Sequence, residues 1–320
     1  MTVLVLTRPY MDAVADMVIE ELNNRKVPVV RLDTGDFPTR LTLSARLDPG
    51  QDSWCGLWRG EHRNLDLGSV RAVYYRRPGR FRLDPRMAAD SVRWADSEAR
   101  AGLGGVLASL RCAWVNHPWR SALAEFSPYA LATAARCGLL IPPTLITSDP
   151  EEARAFVASM PGQVAAYKAI GTAPAGDYEG NRVALWTTKI RPEKITDAVS
   201  LTAHQFQQWI AKKHEVRLTV VGDKLFAGEI HAGSAASRID FRRDYNSLTY
   251  RVCDVPEPIV AGVKTLMSVM GLRYVALDFL VSGDDRWYLV DVNPNGQWGF
   301  IPALRAPITQ ALADLLEATQ

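Results

Sequence analysis

The stretch Arg273–Trp298, RYVALDFLVSGDDRWYLVDVNPNGQW, constrains this chain more than any other segment. Two apolar runs flank Gly283-Asp284-Asp285, which is the turn chemistry of a β-hairpin. A two-residue loop at Asp284-Asp285, or a four-residue loop around it, sets Asp278 directly across from Asp291. Side chains repeat every second residue along a strand, so Asn293 shares their face. Carboxylates opposed in this way have Cβ atoms roughly 5 Å apart and repel. Apolar neighbours such as Leu277, Phe279 and Leu289 screen them poorly. Two carboxylates and an amide oxygen form an oxygen set suited to magnesium, with water and phosphate oxygens at the remaining positions. The plainer alternative is a protonated pair or a hairpin cap.

The rest of the chain reads as an α/β protein. "VLVLT" is a short continuous apolar run, as in a fully buried parallel strand. Helical spacing follows at Val14, Val18 and Leu22, then a second strand "PVVRLD". This β-α-β opening predicts a doubly wound start. "LTLSARL" and "WCGLWRGE" read as an antiparallel excursion. "SVRAVYYRRP" is a strand, Asp90–Leu110 a helix, and "CAWVNHP" a strand stopped by Pro118. Further on, "SPYALATAARCGL", the segment from Asp149, Pro258–Met270 and Ile308–Leu316 read as helices. Ser148 or Asp149 ahead of Glu151 and Glu152 is a capping pattern. "QVAAYKAI" and "VALWTTKI" read as strands on either side of the turn-rich loop "GTAPAGDYEGNR".

With 320 residues the chain is long enough for more than one domain. A net charge of +2 excludes the strong basic excess of a nucleic-acid binder. Neither a membrane span nor a signal peptide is read from it, and a cytoplasmic location is expected. The 4 cysteines are scattered without CxxC spacing, which disfavours a disulfide framework and a structural zinc site. "GTAPAGD" lacks the Lys-Ser/Thr that completes a P-loop. "GLGG" lies within a helix and reads as close packing.

The hairpin motif, DFLV, a turn and LVDVNPNGQW, resembles the magnesium hairpin of ATP-grasp ligases. It is most similar to the maturases that close ribosomal peptides through ω-ester or ω-amide bonds, the microviridin-type graspetide ligases. "VYYRRP", "WVNHP", "GLLIPPTLITSDPEEA", "YKAIG", "FQQWIAKKHEVRLTVVGDKLFAGEI" and "IDFRRDYNSLTY" fall in the order such maturases show. The family usually has Glu where Asp291 stands; Asp keeps the charge with a shorter reach.

The resemblance implies an ATP-grasp fold. It divides the chain into an N-terminal pre-ATP-grasp α/β domain (1–120), a central ATP-grasp subdomain (121–203) and a C-terminal subdomain with the hairpin (204–320). It implies ATP and Mg2+ as cofactors, the metal on Asp278, Asp291 and Asn293. Lys168 would reach the phosphates; Gln208, Trp209 and Ile210 would pass under the adenine; Lys212 or Glu215 would approach the ribose. Arg217 and Arg242 would hold transferred phosphate and acyl-phosphate oxygens, and Asp240 would either orient Arg242 or take a proton. Arg76 and Arg77 either face a substrate or end a solvated strand. The loop from Gly171 would act as a lid.

The implied reaction activates Asp or Glu side chains of a ribosomal precursor peptide as acyl phosphates and joins them to Thr, Ser or Lys side chains. The partner would be a leader plus acidic core peptide, with no nucleic acid or membrane partner; a homodimer is compatible with the resemblance. One departure stands out: where the family commonly has Asn-Lys, this chain has Ser127-Pro128. The alternatives are a ligase adding free amino acids to a carboxylate and, on account of Pro128, a catalytically weak ATP- and peptide-binding protein.

Overall fold

A computed structural model describes residues 1–8, 12–61, 63–171, 176–178, 181–183 and 186–318. The chain divides into two compact units. One is Met1–Ser121 with Leu272–Tyr274 and Gln297–Gln320; the other is Ala122–Gly271 with Val275–Gly296.

In the first unit the opening apolar run forms β1 (Thr2–Leu6), followed by α1 (Ala13–Asn24) and β2 (Val29–Leu32). Val14, Val18 and Leu22 are the buried face of α1, as their spacing predicts. The excursion β3 (Leu41–Arg46), β4 (Cys55–Gly60) and β5 (Asn64–Asp66) pairs as a separate antiparallel sheet. Then come β6 (Val70–Tyr75), α2 (Ala89–Ala108) and β7 (Ala113–Val115). Strands β2-β1-β6-β7 form one parallel sheet in that order, so the winding reverses at β1. Val3, Leu4, Val5 and Leu6 are all fully buried, which is why the run has no polar alternation. Pro118 does more than stop a strand: it opens α3 (Pro118–Ala124), its missing N–H costing nothing in a first turn.

Arg76 is buried at the end of β6, where its Nε donates to Asp12 Oδ2 at 3.1 Å. It is therefore neither a substrate-facing nor a solvated residue.

The second unit begins with α4 (Ser127–Arg136), β8 (Thr144–Thr147), α5 (Pro150–Ser159) and β9 (Ala165–Lys168). Asp149 caps α5, accepting from the amides of Glu151 at 2.8 Å and Glu152 at 3.3 Å. The expected lid loop lies partly outside the described residues; within it β10 (Gly176–Tyr178) pairs with β11 (Asn181–Val183). Next are β12 (Thr188–Ile190) and β13 (His204–Gln208), giving a sheet in the order β12-β9-β13-β8. Trp186 and Thr187 do not belong to the strand expected there, because the Thr187 amide donates to Asp240 Oδ2 at 3.1 Å instead of to a ladder.

A five-stranded sheet follows, in the order β16-β15-β14-β17-β18. Its elements are β14 (Lys212–Val221), β15 (Lys224–Ala232), α6 (Ala235–Ile239), β16 (Leu248–Val252), α7 (Glu257–Met270), β17 (Tyr274–Ser282) and β18 (Trp287–Asn293). Helix α8 (Arg305–Glu317) completes the first unit.

The β17–β18 hairpin reaches its register by an unexpected route. Its loop has three residues, Gly283, Asp284 and Asp285, with Asp285 at φ 58° and Ser282 N bonded to Arg286 O at 3.0 Å. From there Val281 pairs with Trp287, Leu280 with Tyr288 and Phe279 with Leu289. Continued without interruption, that register would turn Asp291 to the packed face with Leu289. A β-bulge inserts Val290 instead, and Asp278 then pairs with Asp291, Leu277 with Val292 and Ala276 with Asn293. The odd loop and the bulge cancel. Gly296, which ends Asn-Pro-Asn-Gly, sits so close to the hairpin that a Cβ there would lie 2.3 Å from Ala276 Cβ.

The start of β17 is tied down by Asn116. Its Oδ1 accepts from the amides of Arg273 at 2.7 Å and Tyr274 at 2.9 Å, and its Nδ2 donates to Tyr274 O at 2.8 Å. Truncation strands three backbone groups, each costing roughly 1–3 kcal/mol when buried. Asn116→Ala is predicted to lower unfolding free energy by about 3 kcal/mol in denaturant titration; a loss below about 1 kcal/mol would contradict this role.

Candidate active site

Strand alternation gathers the charged residues of the second unit. On β13, Phe206 packs with Ala153, Val157 and Ala165 in the core beneath α5, so Gln205 and Gln207 point to the other side. Lys168 pairs directly with Gln205 across β9 and β13 and shares that side. Its Nζ donates to the carbonyl of Val290, the bulge residue, at 2.6 Å. The bulge thus turns Asp291 and presents an acceptor for Lys168. Burial lowers the Lys168 pKa, while Asp291 and then Asp278 oppose the shift.

Arg217 on β14 holds Asp278 on β17 with a forked pair, Nε to Oδ1 at 2.6 Å and Nη2 to Oδ2 at 3.1 Å. Asp291 accepts no hydrogen bond from any described residue. Its side chain is exposed to solvent, although protein atoms surround it closely. Desolvation, and after it the charge of Asp278, push its pKa up, against the pull of Lys168, Arg217 and Arg242. A carboxylate without a donor beside a second carboxylate is a deficit of positive charge that a hard divalent cation fits. Asn293 Oδ1 lies on the same face and accepts from the Asn295 amide at 3.0 Å, which leaves it a second lone pair. Asn295 in turn donates from Nδ2 to Glu125 Oε1 at 3.2 Å. These oxygens suit Mg2+ in type and charge.

Arg242 sits in a short 3-10 turn, Phe241–Arg243, rather than in extended chain. Asp240 accepts from its Nε at 2.8 Å, its Nη2 at 2.6 Å and its backbone amide at 3.1 Å, with the Thr187 amide as a fourth donor. The hydrogen bonds to Asp240 hold Arg242 firmly protonated. Burial alone would raise the Asp240 carboxyl, but Arg242 and the two amides bring it below its usual range. With these four donors Asp240 fixes the direction of the Arg242 side chain. The guanidinium also lies 5.6 Å from the Trp186 ring centroid. Arg243 is exposed, as expected.

The segment joining β13 to β14 belongs to no ladder from Trp209 to Ala211, so its backbone groups are available to a planar base. Gln208 is committed already: it ends β13 and its amide donates to Pro143 O at 2.8 Å. Trp209 carries Lys189 Nζ 4.4 Å above its ring, and Ile210 is buried. Lys212 Nζ contacts Glu215 Oε1 at 2.5 Å, and burial raises the Glu215 carboxyl against that partner. Ser127 opens α4 and points its hydroxyl to Gln205 Oε1 at 3.5 Å, and Pro128 follows it in the first turn, at the position the resemblance gives to the lysine.

Every residue expected to hold nucleotide, metal or phosphate lies in this unit, and Lys168, Arg217, Arg242, Asp240, Asp278 and Asp291 form one electrostatic cluster. Sequence reasoning missed the Val290 carbonyl and the Asn295–Glu125 contact. Only the odd loop, with Asp285 in the left-handed region, signals that a bulge is needed.

Residues 2–122 match the family described as MvdD pre-ATP grasp domain. No curated protein matches the sequence. The RiPP-associated ATP-grasp ligase of Chryseobacterium gregarium, solved with ADP and a leader and core peptide, superposes with TM-score 0.89 at 25% identity, over 98% of this chain and 96% of that one. Macrocyclase MdnC of Microcystis aeruginosa MRC, solved with precursor peptide MdnA, gives 0.86 at 26% identity over 100% of both chains. Macrocyclase MdnB of the same organism gives 0.81 at 26% identity over 99% of both.

Asp240→Asn keeps the shape of the Arg242 clamp and removes its charge. Hydrogen bonds to charged groups contribute roughly 1.5–3 kcal/mol, so substrate-dependent ADP release is predicted to drop about 10- to 100-fold in kcat/KM with ADP affinity unchanged. Unaltered kcat/KM would remove Asp240 from the site. The chain has the ATP-grasp fold, preceded by a pre-ATP-grasp domain, and its structural neighbours are RiPP-associated peptide ligases.

Proposed function

We propose that this chain is an ATP-dependent carboxylate ligase that macrocyclises a ribosomal precursor peptide. The observation that carries the reading is the opposed carboxylate pair, its Asp291 without a donor among the described residues, beside Lys168, Arg217 and Arg242. Similarity to macrocyclase MdnC along the entire chain supports the peptide as substrate.

A substrate Asp or Glu carboxylate oxygen attacks the γ-phosphorus of ATP, the bond to the β-phosphate oxygen breaks, and ADP leaves. A Thr or Ser hydroxyl, or a Lys amine, of the same peptide then attacks the acyl-phosphate carbonyl. Inorganic phosphate departs, one proton is released, and an ester or amide closes the ring. The peptide loses one water per link. The chain's part is positioning and charge stabilisation. Lys168 supplies a point charge to phosphate oxygens. Arg217 and Arg242, each held by a fork on an aspartate, bring fixed positive charge to the transferred phosphate and the acyl phosphate, Arg242 aimed by Asp240. Trp209 and Ile210 offer backbone groups to the adenine beside Gln208, with Lys212 and Glu215 toward the ribose. Asp278, Asp291 and Asn293 would hold Mg2+, which neutralises charge on the phosphates when bound.

Among the described residues no helix is long and apolar enough to cross a membrane, and we place the reaction in the cytoplasm. Ser127-Pro128 favours a second reading, a weak ATP- and peptide-binding protein, because Pro128 stands where the maturases commonly bring a lysine.

The test incubates the full chain with ATP, Mg2+ and an acidic, Thr/Ser/Lys-containing precursor peptide, following peptide mass and ADP together. Successive losses of water are expected, one ADP per link. Asp291→Ala should slow both by roughly three orders of magnitude, given the several kcal/mol that metal charge supplies to such transition states. Gains in mass by amino-acid increments would indicate the amino-acid ligase. ATP binding without peptide-dependent ADP would favour the weak binder.

A further inference from the structure

The face of the five-stranded sheet turned away from Arg217 carries a second cluster. Val216 pairs with Glu229 and Glu215 with Ile230 on β14 and β15, and the same register brings His214 opposite His231. By alternation His214, Glu229 and His231 share one face, and Glu215 and Arg217 share the other. The two imidazole centroids are 5.2 Å apart. His231 Nε2 lies 2.7 Å from Glu229 Oε2, and His214 Nε2 lies 3.8 Å from Glu229 Oε1. One donor atom from each residue falls within 4.8 Å of the other two.

We propose that His214, Glu229 and His231 form a binding site for a divalent transition-metal ion of the zinc class. Two imidazoles and one carboxylate match the ligand chemistry of zinc, with bonds of roughly 2 Å and a fourth position for water. His214 and Glu229 are buried supports, with side chains 9% and 7% exposed, while His231 at 42% is exposed enough to turn onto the ion.

One competitor is built in. Arg251 on β16 holds Glu229 through Nε to Oε2 at 2.9 Å and Nη2 to Oε1 at 2.8 Å. The Arg251 side chain is 71% exposed, but Glu229 is 7% exposed and the contact is forked, so Arg251 competes with an ion for the carboxylate. A carboxylate also offers about four acceptor positions, of which Arg251 takes two. The ion would therefore join β14 to β15 behind the strand that presents Arg217.

The test uses the full chain stripped with chelator, with ADP and excess Mg2+ present so that the phosphate-side metal position is filled. Zn2+ is titrated by calorimetry, and Co2+ by visible absorption as a reporter of nitrogen and oxygen ligands. One equivalent is expected to bind. His231→Ala and His214→Ala should each weaken it at least about tenfold, as even outer-shell losses do at metal sites. Arg251→Gln should tighten it by freeing the carboxylate. Equal zinc affinity in His231→Ala and the parent overturns the proposal, and that exposed position decides the matter if His214→Ala does not fold. An unchanged affinity in Arg251→Gln overturns Glu229 as a ligand.

Discussion

One inserted residue, Val290, determines what the centre of this molecule can do. The bulge it creates moves Asp291 and Asn293 from the packed side of β18 to the side of Asp278. Its carbonyl, freed from the ladder, takes the Lys168 ammonium at 2.6 Å. Two carboxylates about 5 Å apart repel by roughly 3 kcal/mol at an effective dielectric of about 20. A fold retains such a pair only where other charges offset it. Here the forked Arg217 contact offsets Asp278, and Lys168 stands within electrostatic reach of both acids.

The basic and acidic groups match in number before any substrate enters, yet among the described residues Asp291 is left without a donor of its own. Arg217 faces Asp278, Arg242 faces Asp240, and Lys168 faces Asp291. Such pairs contribute little net stability but fix direction, since losing the partner of a buried member such as Asp240 leaves an uncompensated charge. Preorganised charge of this kind is also what phosphoryl transfer demands, because its transition state spreads charge over oxygens and needs little covalent help. The same residues thus serve the fold by neutralising one another and the chemistry by holding their geometry.

Much of this was legible in the sequence because the signals are local. The apolar β1 run, the helical spacing of Val14, Val18 and Leu22, and the α5 cap each depend on a few adjacent residues; the first two formed as read, and of Ser148 and Asp149 it is Asp149 that caps. Asp278 and Asp291 were paired from an even loop, whereas the loop is odd and the bulge restores the pairing. Non-local demands account for the misses. Thr187 left its strand because Asp240 needed a fourth donor, and Arg76 went inside because Asp12 was waiting there. Pro118 was read as a stop but opened a helix, since the same residue serves both ends of an element.

The central claim is that Asp278 and Asp291, opposed across the bulged hairpin, form a divalent-cation site that works with the nucleotide. It is tested most directly by titrating Mn2+ into the full chain with saturating ADP and counting free ion by electron paramagnetic resonance. Zn2+ is first added to occupy the histidine cluster. The account predicts one bound Mn2+ that requires ADP and disappears in Asp291→Asn, a substitution that keeps shape and removes charge. Undiminished Mn2+ binding in Asp291→Asn would contradict it.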